Sequence, residues 1–272
     1  MDISLCCYFC SDGDRKIIMS NAVQRVAHRG GAALAPENTL AAFRNALNFP
    51  VDAIELDVHM SRDGHAIVFH DYTVDKRTNG NGNILDLDFA YLRSLNAAAH
   101  FPGGWPQPEQ LPTLREVLDL ARGRVQVYIE IKQSKRDDVY GSYPHIAEAV
   151  IAEVRAADML NQVLVISFDW SILPQIKELE PGVQTGALVS DDTWKPQAEY
   201  ALDTPIEQVT ALGCNWINIG TRLFTADMSS AAHQHGLQLG VWTVNSVHEM
   251  RRFIKAGVDS ITSDRPDFFA LL

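Results

Sequence analysis

Apolar and polar positions alternate along this chain in short blocks, and the second half repeats one rhythm. Val163-Leu164-Val165-Ile166 is an apolar run followed by a helical stretch ending near 180. Thr185-Gly186-Ala187-Leu188 comes after the turn Pro181-Gly182, and Trp216-Ile217-Asn218-Ile219 precedes a helix over about 226–235. Leu239-Gly240-Val241-Trp242 precedes a helix over about 247–256, and Ser260-Ile261-Thr262 precedes a last short helix. Short strands alternating with helical patterns predict βα units on a parallel sheet. Strands near Val26, Ile54 and Ile129 bring the count to about eight. That number predicts a closed (β/α)8 TIM barrel. An open doubly wound sheet is the competing architecture, but the chain has no Gly-rich dinucleotide loop to support it.

Two segments break the rhythm. The runs Ile54-Glu55-Leu56-Asp57-Val58 and Ala66-Ile67-Val68-Phe69 are separated only by a short loop carrying Asp63-Gly64. Asp-Gly between apolar runs signals a tight turn, and there is no room for the crossover that parallel strands need. The barrel is therefore irregular here, with nine candidate strands and one of them extra. Residues 71–111 hold two turn clusters, Thr78-Asn79-Gly80-Asn81-Gly82-Asn83 and Pro102-Gly103-Gly104-Trp105-Pro106. An insertion after a barrel strand's carboxyl end sits over the active face, so 71–111 is expected to form a small cap that helps define the pocket.

Composition narrows the function. The chain has 272 residues, 46% hydrophobic and 21% charged, with a formal net charge of −11. Such an acidic chain is a poor general nucleic-acid binder, and an anionic ligand would need a local cation or metal. No apolar run reaches the ~20 residues of a membrane span, and the acidic surface offers no membrane patch. Three of the four cysteines, Cys6, Cys7 and Cys10, fall in 1–20. That segment fits a secretory signal poorly and reads as a loose extension with Met19 as an alternative start. The lone Cys7-Tyr8-Phe9-Cys10 has no second pair to make a zinc site, and Cys214 reads as a core thiol. With no disulfide framework implied, a cytoplasmic location is expected. Residues 21–272 form the barrel domain. The sequence does not specify the oligomeric state.

The candidate chemistry lies in strands that should be core. His28-Arg29-Gly30 closes an apolar strand, and in a strand residues i and i+2 share a face. Glu55 and Asp57 therefore project together, and Glu130 and Lys132 repeat the arrangement in Tyr128-Ile129-Glu130-Ile131-Lys132. Burying such groups without partners costs several kcal/mol each. A same-face salt bridge is the structural alternative for Glu130 and Lys132 alone. For three carboxylates converging at one barrel mouth, a hard divalent cation with oxygen ligands, Mg²⁺ or Ca²⁺, relieves both repulsion and desolvation; zinc would enlist the histidines. His28 and His70 both stand at strand ends and form a candidate acid/base pair near neutral pH. Arg29 offers a planar fork for phosphate oxygens and Lys132 a point charge. Three acids, one divalent cation and two basic side chains sum to about +1, which suits a monoanionic phosphodiester. His59 shares the face of Glu55 and Asp57, and a supporting role is its only candidate use.

These residues stand in a longer ordered set: Ala27-His28-Arg29-Gly30, Pro36-Glu37-Asn38-Thr39 with Ala42-Phe43, Glu55-Leu56-Asp57-Val58, Asp63-Gly64, Val68-Phe69-His70-Asp71, Arg77-Thr78-Asn79-Gly80, Leu111-Pro112-Thr113-Leu114, Glu130-Ile131-Lys132, Val241-Trp242-Thr243-Val244-Asn245 and Asp264-Arg265-Pro266-Asp267. From about Val23 to Phe269 the chain resembles the glycerophosphodiester phosphodiesterases, relatives of phosphatidylinositol phospholipase C by fold. The resemblance implies an irregular (β/α)8 barrel with a small insertion after the strand ending at His70. It also implies a hydrolase of glycerol and lipid metabolism that releases glycerol 3-phosphate and an alcohol. It implies Glu55, Asp57 and Glu130 as metal ligands, His28 and His70 as acid and base, Arg29 and Lys132 on the phosphate, and Trp242 lining the substrate pocket. Departures are small: Asn48-Phe49-Pro50-Val51 replaces a Gly-containing turn, and Ser260 stands where Gly is usual. Two other readings remain. One is a phospholipase D-like enzyme for lysophospholipids, which needs an apolar rim such as Phe101 and Trp105 could supply. The other is phosphodiester binding without turnover, which would need neither histidine.

Overall fold

The computed structural model describes residues 22–136, 139–191 and 203–272. The extension 1–20, with Cys6, Cys7 and Cys10, lies outside them. Eight parallel strands close on themselves: β1 (Gln24–Ala27), β2 (Ala53–Met60), β4 (Gln126–Ile131), β7 (Val163–Ser167), β8 (Gln184–Val189), β9 (Trp216–Gly220), β10 (Gln238–Trp242) and β11 (Ser260–Ser263). The ring shuts where Val26 pairs with Ala53 and Ala27 with Ile54. Helices α1 (Leu40–Ala46), α3 (Leu114–Ala121), α4 (Ile146–Ala156), α5 (Ile172–Leu179), α6 (Asp203–Ala211), α7 (Met228–Gln234) and α8 (Val247–Lys255) provide the crossovers. The irregular TIM barrel expected from the strand–helix rhythm is the architecture found.

The extra strand is β3 (Ala66–Val68), which runs antiparallel to β2 with Val58 opposite Val68 and Met60 opposite Ala66. Its place follows from an edge left open. β1 ends at Ala27 and covers only the first part of β2, so the upper half of β2 has free main-chain groups on that side, and the hairpin returns to satisfy them. His70 therefore does not end a barrel strand, as the sequence had suggested; it lies just past the hairpin strand. Phe69 N donates to Asp57 O at 3.0 Å, which sets His70 level with the acidic side chains. A second ribbon, β5 (Gln133–Arg136) with β6 (Val139–Ser142), leaves the carboxyl end of β4; no alternation in that polar stretch announced it.

Two apolar layers result from the period-2 pattern. Ile54, Leu56, Val58, Val127, Ile129, Val165, Ile217 and Leu239 face the helices in the main core, together with the free thiol of Cys214. The inner layer is smaller: Val26, Ala53, Tyr128, Leu164, Ile166, Leu188 and Trp216 fill the barrel, with Phe168 and Trp242 packed on top. Residues 71–111 include α2 (Phe89–Ser94) and make a separate small core of Ile67, Phe69, Val74, Ile84, Leu92, Leu95 and Leu111. Among the described residues no helix is long and apolar enough to cross a membrane.

Candidate active site

The barrel mouth holds a cavity of about 230 Å³ lined by His28, Arg29, Glu55, His70, Tyr128, Glu130, Lys132, Ile166, Phe168, Leu188, Asn218, Trp242, Thr243 and Thr262. One side is charged and the other largely apolar and aromatic. Of the candidate metal ligands, acid/base histidines and substrate contacts named from the sequence, all but Asp57 line it directly. Asp57 lies just beneath, wholly buried.

Glu55, Asp57 and Glu130 bring carboxylate oxygens within 4.8 Å of one another, because Asp57 and Glu130 are register partners on adjacent strands and Glu55 shares their inward face. They are 3%, 0% and 7% exposed. Burial and the neighbouring Asp57 and Glu130 carboxylates push Glu55 well above the usual carboxylate range. Burial also opposes ionisation of Asp57, but Arg29 and Lys132 outweigh it and hold Asp57 well below that range. One Asp57 oxygen, Oδ1, makes no hydrogen bond although it is buried, and Lys132 Nζ stands 3.4 Å from it. An excess of negative charge, an orphaned buried acceptor and an oxygen-only donor set fit a hard divalent cation.

The supports are built from local sequence. The chain turns out of β1 through a 3-10 turn, His28–Gly30, in which Gly30 has φ +79° and a Cβ there would meet the first turn of α1 at 2.9 Å. Glycine is needed at that contact. The turn aims the Arg29 amide at Glu55, donating to Oε2 at 2.9 Å. The Arg29 guanidinium reaches Glu37 at 3.1 Å and Asp57 at 3.3 Å. Burial alone would lower its pKa, yet these carboxylates raise it. Lys132 Nζ donates to Glu130 at 2.7 Å; burial works against its charge, and Glu130 and Asp57 prevail. The same-face salt bridge expected of Glu130 and Lys132 is thus present within the larger cluster.

The Pro36-Glu37-Asn38-Thr39 motif acquires a role at each polar position. Glu37 pairs with Arg29, Asn38 Nδ2 donates to Asp57 Oδ2 at 2.8 Å, and Thr39 Oγ1 caps α1 by accepting from Ala42 N at 3.1 Å.

Each histidine is held the same way. His28 Nδ1 lies 2.6 Å from Asp264 Oδ1, and His70 Nδ1 lies 2.7 Å from Asp71 Oδ1. A carboxylate on Nδ1 fixes the proton there and leaves Nε2 as the working nitrogen. Neither aspartate was singled out from sequence. Asp71 had the adjacent His70 as a signal; Asp264 is 236 positions from its partner and had only its place in a motif. The insertion 71–111 supplies no side chain to the cavity wall. It supplies supports, Asp71 and then Arg77, which reaches Glu37 at 3.5 Å and Asp71 at 3.6 Å. Phe101 and Trp105 pack on each other at 5.4 Å and line no part of the cavity. Trp242 does line it, edge to face with Phe168 at 5.5 Å.

Known proteins resemble this chain in sequence and fold. A family model described as the glycerophosphoryl diester phosphodiesterase family matches residues 28–268. A glycerophosphodiester phosphodiesterase of Caldanaerobacter subterraneus subsp. tengcongensis is 34% identical over 243 residues, covering 89% of this chain and 94% of the relative. One from Bacillus subtilis is 28% identical, covering 93% and 87%. Among solved structures, an Oleispira antarctica phosphodiesterase in complex with the product sn-glycerol-3-phosphate superposes with TM-score 0.74 at 28% identity, covering 89% of this chain and 93% of that one. A match that runs from His28 to the last 3-10 turn leaves one assignment: the chain belongs to the glycerophosphoryl diester phosphodiesterase family.

Proposed function

We propose that this protein hydrolyses glycerophosphodiesters to glycerol 3-phosphate and an alcohol, using one Mg²⁺ or Ca²⁺ held by Glu55, Asp57 and Glu130. The observation that carries the reading is the cavity itself: two histidines, each with an aspartate on Nδ1, line it together with Glu55 and Glu130 of the acidic cluster. The bound cation would supply Lewis-acid stabilisation of charge on a phosphoryl oxygen.

The chain's own residues do the rest. Arg29 and Lys132 add positive charge beside the phosphate. His28 and His70 offer Nε2 atoms, one to accept the proton of the attacking oxygen and one to deliver a proton to the departing alkoxide. The P–O bond to the alcohol breaks as the new one forms. Direct attack by water and prior attack by the glycerol 2-hydroxyl both fit; labelled-water incorporation without a cyclic phosphate identifies the first. Phe168 and Trp242 make an aromatic wall that suits a quaternary ammonium head group. The cysteine usage supports a cytoplasmic setting for the reaction.

The test is glycerol 3-phosphate release from glycerophosphocholine by metal-stripped protein, with Mg²⁺, Ca²⁺ or neither restored, beside Glu55→Ala. Metal-restored turnover absent in the variant is expected. Turnover of lysophospholipids alone, or phosphodiester binding with no turnover by folded protein, would replace this reading with one of the two alternatives.

A further inference from the structure

His59 is wholly buried and is not part of the cavity wall. It lies two positions beyond Asp57 on the same strand face, wedged edge-on between Tyr72 at 5.4 Å and Tyr143 at 5.6 Å. Both ring nitrogens are used. Nε2 is 3.0 Å from the main-chain oxygen of His70, and Nδ1 is 2.5 Å from Tyr143 Oη. A carbonyl only accepts, so Nε2 carries the proton and Nδ1 accepts from the Tyr143 hydroxyl.

The contact falls where the hairpin ladder stops. Val58 and Val68 are register partners, Phe69 N still bonds to Asp57 O, and beyond that point β3 has no further pairing with β2. The His70 carbonyl follows one residue later, outside the ladder, and the His59 ring gives it a partner. The chain Tyr143 O–H to His59 Nδ1, His59 Nε2–H to His70 O thus ties the His70 main chain to the start of the α4 crossover.

We propose that His59 is a positioning residue for His70: its Nε2–H fixes the main chain at His70 and so sets where the His70 imidazole stands over the acidic cluster. This rests on the reading that His70 transfers a proton, and the experiment separates the two.

Glycerophosphocholine turnover would be measured for His59→Phe, which fills space without a donor, His59→Gln, whose amide N–H replaces Nε2–H, Tyr143→Phe and His70→Ala. Each measurement would use saturating cation, with cation affinity and thermal melting recorded in parallel. His59→Phe is expected to lower kcat about tenfold, the scale of one lost hydrogen bond, with KM and cation affinity within threefold. His59→Gln recovers at least a third of the activity, and Tyr143→Phe shows a smaller loss in kcat. Equal losses in the Phe and Gln variants would mean packing alone, and lost cation affinity would mean that His59 serves Asp57; either overturns the proposal. So does unchanged kcat in folded His59→Phe. If His59→Phe does not fold, the split between His59→Gln and Tyr143→Phe decides in the same way. Near wild-type turnover by His70→Ala would sink the reading of His70 itself, whatever the His59 variants do.

Discussion

Replacing Asp264 by Asn tests how the fold prepares His28. Asp264 Oδ1 stands 2.6 Å from His28 Nδ1, and Oδ2 accepts from Asn245 Nδ2 at 2.7 Å. Burial would raise the Asp264 pKa, but these bonds lower it, so it is an anion at neutral pH. An amide in its place cannot satisfy both neighbours. With its NH2 toward His28, Nδ1 must accept and the proton moves to Nε2, the wrong tautomer for a base. With its oxygen toward His28, two NH2 groups face each other at Asn245. Either way the imidazolium loses its anionic partner. A charge-assisted hydrogen bond contributes about 1.5–3 kcal/mol, and at about 1.4 kcal/mol per tenfold this becomes a loss of about 10- to 150-fold in kcat. The assay is glycerol 3-phosphate release from glycerophosphocholine at saturating cation, with KM expected within threefold and little change in melting. A kcat within threefold of the parent would refute the claim that Asp264 tunes His28 for proton transfer.

Other substitutions probe the same frame. Arg29→Ala removes a cation from buried Asp57 and Glu37, so it should cost about 3–5 kcal/mol in chemical denaturation as well as raise KM; unchanged melting and kinetics would take Arg29 out of the site. Gly30→Ala places a methyl 2.9 Å from Ala42 at a φ of +79° and should cost about 1–3 kcal/mol, seen as a lower Tm by calorimetry. The hydrogen bond from His70 holds Asp71 below its ordinary range. The unfolded chain therefore takes up that proton first as pH falls, so the stabilisation is present at neutral pH and lost below the usual carboxylate pKa. Asp71→Asn should make acid unfolding less steep; an unchanged acid limb would deny the coupling.

Much of this was legible in the residues. Period-2 alternation located the barrel strands, placed Glu55 with Asp57 and Glu130 with Lys132, and separated inner from outer core, because side-chain direction in a strand depends only on its own backbone. The Asp63-Gly64 turn announced a hairpin, and the spacing of acids announced a carboxylate cluster that could hold a cation. Other features had no local signal. Which of nine strands stood outside the ring depended on β1 being too short to cover β2. The ribbon β5–β6 grew from a polar segment without alternation. The supports of the site were the least visible: Asp264 for His28, Asn38 for Asp57, and Tyr143 for His59. Each is a contact between different elements of the chain, 236 positions apart in the first case. Sequence by itself determined the barrel strands, their inward faces and the chemical kinds of group they carry. Only closure of the barrel decided which of those groups meet, since hydrogen bonds act over about 3 Å and that proximity is set by the register of strands from opposite ends of the chain.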